Sequence, residues 1–130
     1  MMNVWYAELN RPFLTPPNWL FGPAWTTLYI MIAIAIIFYY KASGKEQVLL
    51  TTAILVVHLI ANFSWTPLFF GLQNPLLALL DILILDVTLL VLIYLFWQAS
   101  TVASLLLIPY LLWVSFATYL NAGFYWLNRG

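Results

Sequence analysis

Four stretches of this 130-residue sequence run for more than twenty residues with almost no charge, and they govern what the chain can become. A bilayer's hydrocarbon core, ~30 Å thick, is crossed by about 20 apolar residues in a helix. The stretches cover about residues 19–40, 48–71, 75–97 and 102–127. Short polar links separate them: KASGKEQ, then Leu72-Gln73-Asn74, then Gln98-Ala99-Ser100-Thr101. They are too long for barrel strands and lack the alternation that a polar lumen imposes. In lipid, each helix satisfies its own backbone polar groups. The expected fold is an all-α integral membrane protein. Residues 19–130 form one antiparallel bundle of four transmembrane helices, with chain neighbours packed as hairpins and both termini on one side.

Composition closes the other classes. Hydrophobic residues make up 65% of the chain and charged residues 6%, against about 25% charged in a soluble domain. Eight charges (Glu8, Arg11, Lys41, Lys45, Glu46, Asp81, Asp86, Arg129) cannot coat a globule of this size, so the partner of most of the surface is the lipid bilayer. Disordered chains are poor in apolar residues, which excludes that class. A formal net charge of zero leaves no footprint for nucleic acid. The absence of cysteine excludes disulfides, thiol nucleophiles, cysteine-ligated clusters and covalent CxxCH haem attachment. The first ten residues have neither a basic nor an apolar signal region, so no secretory signal is expected. Lys41 and Lys45 lie on one membrane face and Arg11 and Arg129 on the other. That tie leaves orientation open, and the sequence does not say which membrane is concerned.

Residues 1–18 contain Pro12, Pro16 and Pro17 and read as a stiff N-terminal lid loop. Its Trp5, Tyr6, Phe13 and Leu14 are placed to cover the bundle mouth; the other reading lays them along the headgroups. Pro23 and Pro75 fall early in their helices, where a missing N–H is harmless. Pro67 and Pro109 sit deeper, and each predicts a kink. Trp19, Tyr39, Tyr40, Trp97, Tyr125 and Trp126 lie at segment ends and read as interfacial anchors.

Polar side chains inside lipid are where function can be argued, since each is costly without a partner. Asp86 is ~16 Å deep counted from Pro75, and His58 is ~15 Å deep counted from Val48. At similar depth, the two are candidates to face one another. Asp81 and Asp86 stand about 140° apart around their helix, so they do not form a paired acid–base site. His58 reads either as an interior histidine bonded to a neighbour's hydroxyl or carbonyl, or as a ligand or proton-relay group. Asp86 reads either as structural glue or as a proton or cation site.

His58, Asn62, Trp65 and Phe69 share one helical stripe; Tyr110, Trp113, Ala117 and Leu120 or Asn121 share another. Phe21, Trp25, Leu28 and Ile32 form a third. Three helices thus each carry a tryptophan inside the span rather than at its end. Inward indoles beside one amide suit a flat, mostly apolar ligand. The other reading is that these rings only fill the core.

The run WYAELNRPFLTPPNWLFGPAWTTLY resembles the signature of the tryptophan-rich sensory protein family, also called the translocator protein or peripheral benzodiazepine receptor family. So do Asn62-Phe63-Ser64-Trp65 with Phe69-Phe70, and the ending IPYLLWVSFATYLN. The blocks stand in the family's order over most of the chain. The resemblance implies a helical membrane protein, commonly homodimeric, that binds porphyrins such as protoporphyrin IX and haem. In eukaryotes it also implies cholesterol and benzodiazepine-type ligands. The family has five membrane helices, and against that pattern this chain starts at the loop after the first.

By position, the resemblance implies that Trp25, Asn62, Trp65, Trp113, Phe116 and Ala117 line the pocket and that Tyr6 and Pro16 cover it. The helical stripes add Phe21, His58 and Phe69. Trp25 and Trp113 match positions linked in bacterial relatives to light-dependent porphyrin breakdown, the one catalytic role in view. No cofactor is obligatory, since the porphyrin enters as ligand, and no metal site is expected. Leu120, Tyr125 and Arg129 fit a loose sterol-recognition pattern. Three functions follow: a porphyrin-binding receptor or sensor, a light-dependent porphyrin-degrading enzyme, and a small proton-coupled transporter using Asp86.

Overall fold

The computed structural model describes residue 12, residues 18–42 and residues 47–128. Helix α1 is Asn18–Lys41 and α2 is Val48–Thr66, which runs into a π-helical turn, Pro67–Gly71. Helix α3 is Pro75–Ala99, α4 is Thr101–Leu106 and α5 is Ile108–Asn128. Helices α4 and α5 form one broken span, so four apolar helices are long enough to cross a bilayer. No strand occurs among the described residues. The protein is an all-α, multi-pass integral membrane bundle.

Local chemistry sets the ends of these helices. The Asn74 side chain accepts from the Leu77 N–H at 3.1 Å, with Pro75 at the first helical position. Ser100 caps α4 in the same way, accepting from the Ala103 N–H at 3.2 Å. Both deep prolines disturb their helices, though not alike. At Pro67 the chain widens into a π turn, closed by the Leu72 N–H on the Pro67 carbonyl at 2.8 Å. At Pro109 the missing N–H cannot serve the Leu105 carbonyl, and the helix breaks at Leu107. There the Leu107 N–H turns to Ser104 O at 3.0 Å, and Ser104 Oγ donates to Ile93 O at 2.9 Å, tying the break to α3.

Helix α3 is central, packed between α2 and the α4–α5 span, while α1 packs on α4 and α5. The expected hairpin of α1 with α2 is not how the bundle closes. Those two helices meet through long side chains: Tyr40 with Thr52, and Tyr29 with Asn62 and Phe63. Lipid is as apolar as leucine, so burial alone does not drive this association. Close packing does, helped by fully buried Ala35, Ala78 and Ala103, together with hydrogen bonds between helices.

Of the expected anchors, Tyr40, Trp97 and Trp126 are exposed, Tyr125 is half-buried, and the Trp19 side chain lies outside the described residues. Tyr39 is a correction. It is only 2% exposed and stacks on Phe96 with centroids 4.6 Å apart, because its helical face turns towards α3. The lid loop, Tyr6 and Pro16 included, lies outside the described residues apart from Pro12, and Asn18 already belongs to α1. Pro12 is buried against α5. A Cβ at Gly123 would stand 2.5 Å from the Pro12 Cβ, so this crossing requires glycine.

Candidate functional site

A chain of polar groups crosses the bundle at the depth of His58. The ring's Nδ1 lies 2.7 Å from Thr88 Oγ1 on α3, and its Nε2 lies 2.9 Å from the Tyr110 hydroxyl on α5. Asn62 Nδ2, one turn along α2, donates to the same Tyr110 oxygen. The Tyr29 hydroxyl of α1 donates to Asn62 Oδ1 at 3.0 Å, so four helices are joined. His58 and Asp86 do not face one another. Thr118 Oγ1 lies 2.8 Å from Asp86 Oδ2, joining α3 to α5 on another face. His58 is the buried histidine held by neighbouring hydroxyls.

The tyrosine end of this chain borders a small cavity of about 60 Å³ between the helices. Trp25 and Tyr29 come from α1, Asn62 and Trp65 from α2, Leu85 from α3 and Ala117 from α5. Trp25 and Tyr29 stack with centroids 5.6 Å apart. Trp65 is held by its indole N–H, which donates to Asn121 Oδ1 at 2.8 Å; Asn121 Nδ2 donates in turn to Pro75 O at 2.9 Å. The ring is therefore fixed in orientation rather than merely packed. Outside the α1–α5 seam lies an open groove of about 590 Å³ that includes Pro23, Met31, Pro109, Trp113 and Phe116. Trp25 on the cavity meets Trp113 on the groove edge to face at 6.3 Å, so this indole pair stands between the two hollows.

The predicted site residues therefore divide. Trp25, Asn62, Trp65 and Ala117 come together on the cavity, while Trp113 and Phe116 line the groove beside it. His58 is buried behind Asn62 and does not reach the cavity wall. Phe69 shares its stripe with Trp65 and stacks on it at 5.0 Å, but packs in a second core with Phe70, Ala78, Leu120 and Phe124. Leu120 is thus a core residue, Tyr125 is half-buried, and Arg129 and the Phe21 side chain lie outside the described residues. Sequence reasoning missed Tyr29, although it stands one turn after Trp25. It also missed Thr88 and Thr118, whose hydroxyls hold the buried polar groups. Among the described residues, no three metal-binding side chains cluster.

These inward tryptophans, with the amide between them, lie in a sequence whose first 127 residues match the TspO/MBR family profile. The chain belongs to the TspO/MBR family. It is 46% identical to tryptophan-rich protein TspO of Archaeoglobus fulgidus over 128 residues, covering 98% of this chain and 82% of that one. It is 36% identical to protein CrtK of Rhodobacter capsulatus, covering 98% and 80%. With the human translocator protein it shares 34% identity over 119 residues, 90% of this chain and 70% of the relative. In this TspO/MBR chain the polar chain fixes Asn62, Asn121 fixes Trp65, and the exposed Tyr29 closes the cavity mouth.

Proposed function

We propose that this chain is a membrane receptor or sensor for a flat, largely apolar ligand of the porphyrin type, such as protoporphyrin IX or haem. The observation that carries the reading is one cavity bordered by Trp25, Trp65 and the Asn62 amide, each contributed towards the bundle interior. Indoles supply large, rigid apolar faces, and a single amide supplies orientation. The names of two relatives, tryptophan-rich sensory protein and translocator protein, support the same reading.

Ligand pockets usually occupy about 300–1,000 Å³, so the 60 Å³ cavity has to widen to accept a macrocycle. The seam between α1 and α2 is where it can do so, because few backbone contacts cross it and Tyr29 there is 41% exposed. Titration of the purified protein with protoporphyrin IX should quench tryptophan emission saturably. Trp25→Ala and Trp113→Ala should each weaken binding roughly tenfold. Quenching unchanged in both variants would mean that the porphyrin merely partitions into detergent or lipid.

A second reading, light-dependent breakdown of the bound porphyrin, is favoured by the edge-to-face contact of Trp25, on the cavity wall, with Trp113 on the neighbouring groove. The porphyrin and oxygen would supply the chemistry, and the chain would position the macrocycle against the indoles. Illumination of the complex, followed through loss of porphyrin absorbance, tests it. A rate equal to that in protein-free micelles removes the enzymatic role.

A further inference from the structure

We propose that the cavity discriminates by hydrogen-bond polarity: it favours a flat ligand that carries a donor, a hydroxyl or an N–H, over one that carries only acceptors. This rests on the cavity reading above and adds a selection rule to it.

The rule follows from where each proton in the polar chain must sit. Thr88 Oγ1 lies 2.8 Å from the Ile84 carbonyl oxygen and 3.1 Å from that of Leu85. Two oxygens at such separations repel unless a proton lies between them, and a carbonyl has none to give. The Thr88 proton is therefore committed to its own helix. What remains on Thr88 is an acceptor, so His58 Nδ1, 2.7 Å away, carries the ring proton. An uncharged imidazole has one donor and one acceptor, which leaves Nε2 accepting. The Tyr110 hydroxyl, 2.9 Å from Nε2, gives its proton there. Its oxygen is then free only to accept, and it accepts from Asn62 Nδ2. That places Asn62 Oδ1 towards α1 and the cavity. The sense of the whole chain is set by backbone carbonyls on α3, with four side chains between them and the ligand.

In the closed state, the Tyr29 hydroxyl donates to this oxygen at 3.0 Å. Tyr29 borders the cavity and is partly exposed, so a ligand can take its place at Asn62. A ligand hydroxyl or N–H replaces the lost bond. An ether or ketone at the same point leaves Oδ1 buried without a donor and brings a second lone pair against it. Buried polar atoms left in that condition are heavily disfavoured.

A matched pair of flat probes tests the rule: 1-hydroxypyrene and 1-methoxypyrene, titrated against tryptophan emission of the full chain in detergent. The hydroxyl probe should bind roughly five- to tenfold more tightly. In Asn62→Leu the ratio should fall to about one. Tyr29→Phe removes the donor that either probe displaces, so 1-hydroxypyrene should bind roughly fivefold more tightly there. Should Asn62→Leu fail to fold, Tyr29→Phe decides alone, since its side chain is at the periphery. Equal affinity of the two probes for the wild type, tighter binding of the methoxy probe, or an unmoved 1-hydroxypyrene affinity in Tyr29→Phe overturns the donor rule. Saturable quenching by both probes would still uphold the cavity. If neither probe quenches saturably, the cavity reading itself fails, and the two failures are told apart.

Discussion

Tyr110 holds one hydroxyl between two α2 side chains, accepting from Asn62 and donating to His58. Tyr110→Phe keeps the ring and deletes that oxygen, leaving His58 Nε2 and Asn62 Nδ2 buried without this partner. We expect a loss of about 2–3 kcal/mol in reversible unfolding from mixed micelles. Thr51 presents the opposite case. It is fully buried and its Oγ1 has no hydrogen-bond partner, so Thr51→Val should raise stability by about 1 kcal/mol in the same assay. Residue type alone separates neither pair of outcomes, because both positions are polar groups in apolar runs. The aromatic residues near helix ends make the same point. Tyr39 is buried against Phe96, whereas Trp97, next in sequence to that partner, is 55% exposed. Tyr39→Ala should cost about 3–5 kcal/mol, and Trp97→Ala about 0.5 kcal/mol or less; equal losses would contradict the packing described. Sequence placed both at the interface, since distance from a helix end was the only guide, whereas the angle around the helix decides.

Among the elements, proline shows how far local rules carry. Both deep prolines were expected to bend their helices, and both helices are disturbed at those sites. One chain widened into a π turn and the other broke into α4 and α5, according to where the freed backbone groups found partners. At the end of α5 the constraint is steric. Gly123 faces the Pro12 ring, and a proline ring attached to backbone cannot swing aside as a long side chain does. Gly123→Ala should therefore destabilise by about 1–3 kcal/mol. It should also speed proteolysis of the N-terminal segment relative to wild type. Unchanged cleavage would show that Pro12 does not rest there. The sequence showed the glycine but not its neighbour, 111 positions away in the chain.

For the whole molecule, the bundle closes through its first and last spans and leaves the α1–α2 seam bridged by side chains. If ligand enters there, the seam opens. The chain has no cysteine, so single cysteines at exposed Ala33 and Val57 can carry spin labels, with no competing thiol to block. Saturating protoporphyrin IX should lengthen the label-to-label distance; an unchanged distance would place entry elsewhere. The sequence by itself determined the class and the count of spans, because length and hydrophobicity meet a bilayer of fixed thickness. It also determined that Asn62 and Trp65 share one helical stripe while Trp25 and Trp113 stand on two others, since helical period is a local property. Only the tertiary structure decided that His58 bonds to hydroxyls rather than to Asp86, that Phe69 joins a second core and that Trp113 looks into an outer groove. Those outcomes depend on how helices are rotated and which ones are adjacent, and both are set by contacts between residues far apart in the chain. Hydrogen-bond direction is of the same kind: the face that Asn62 shows to a ligand is dictated by a carbonyl on another helix.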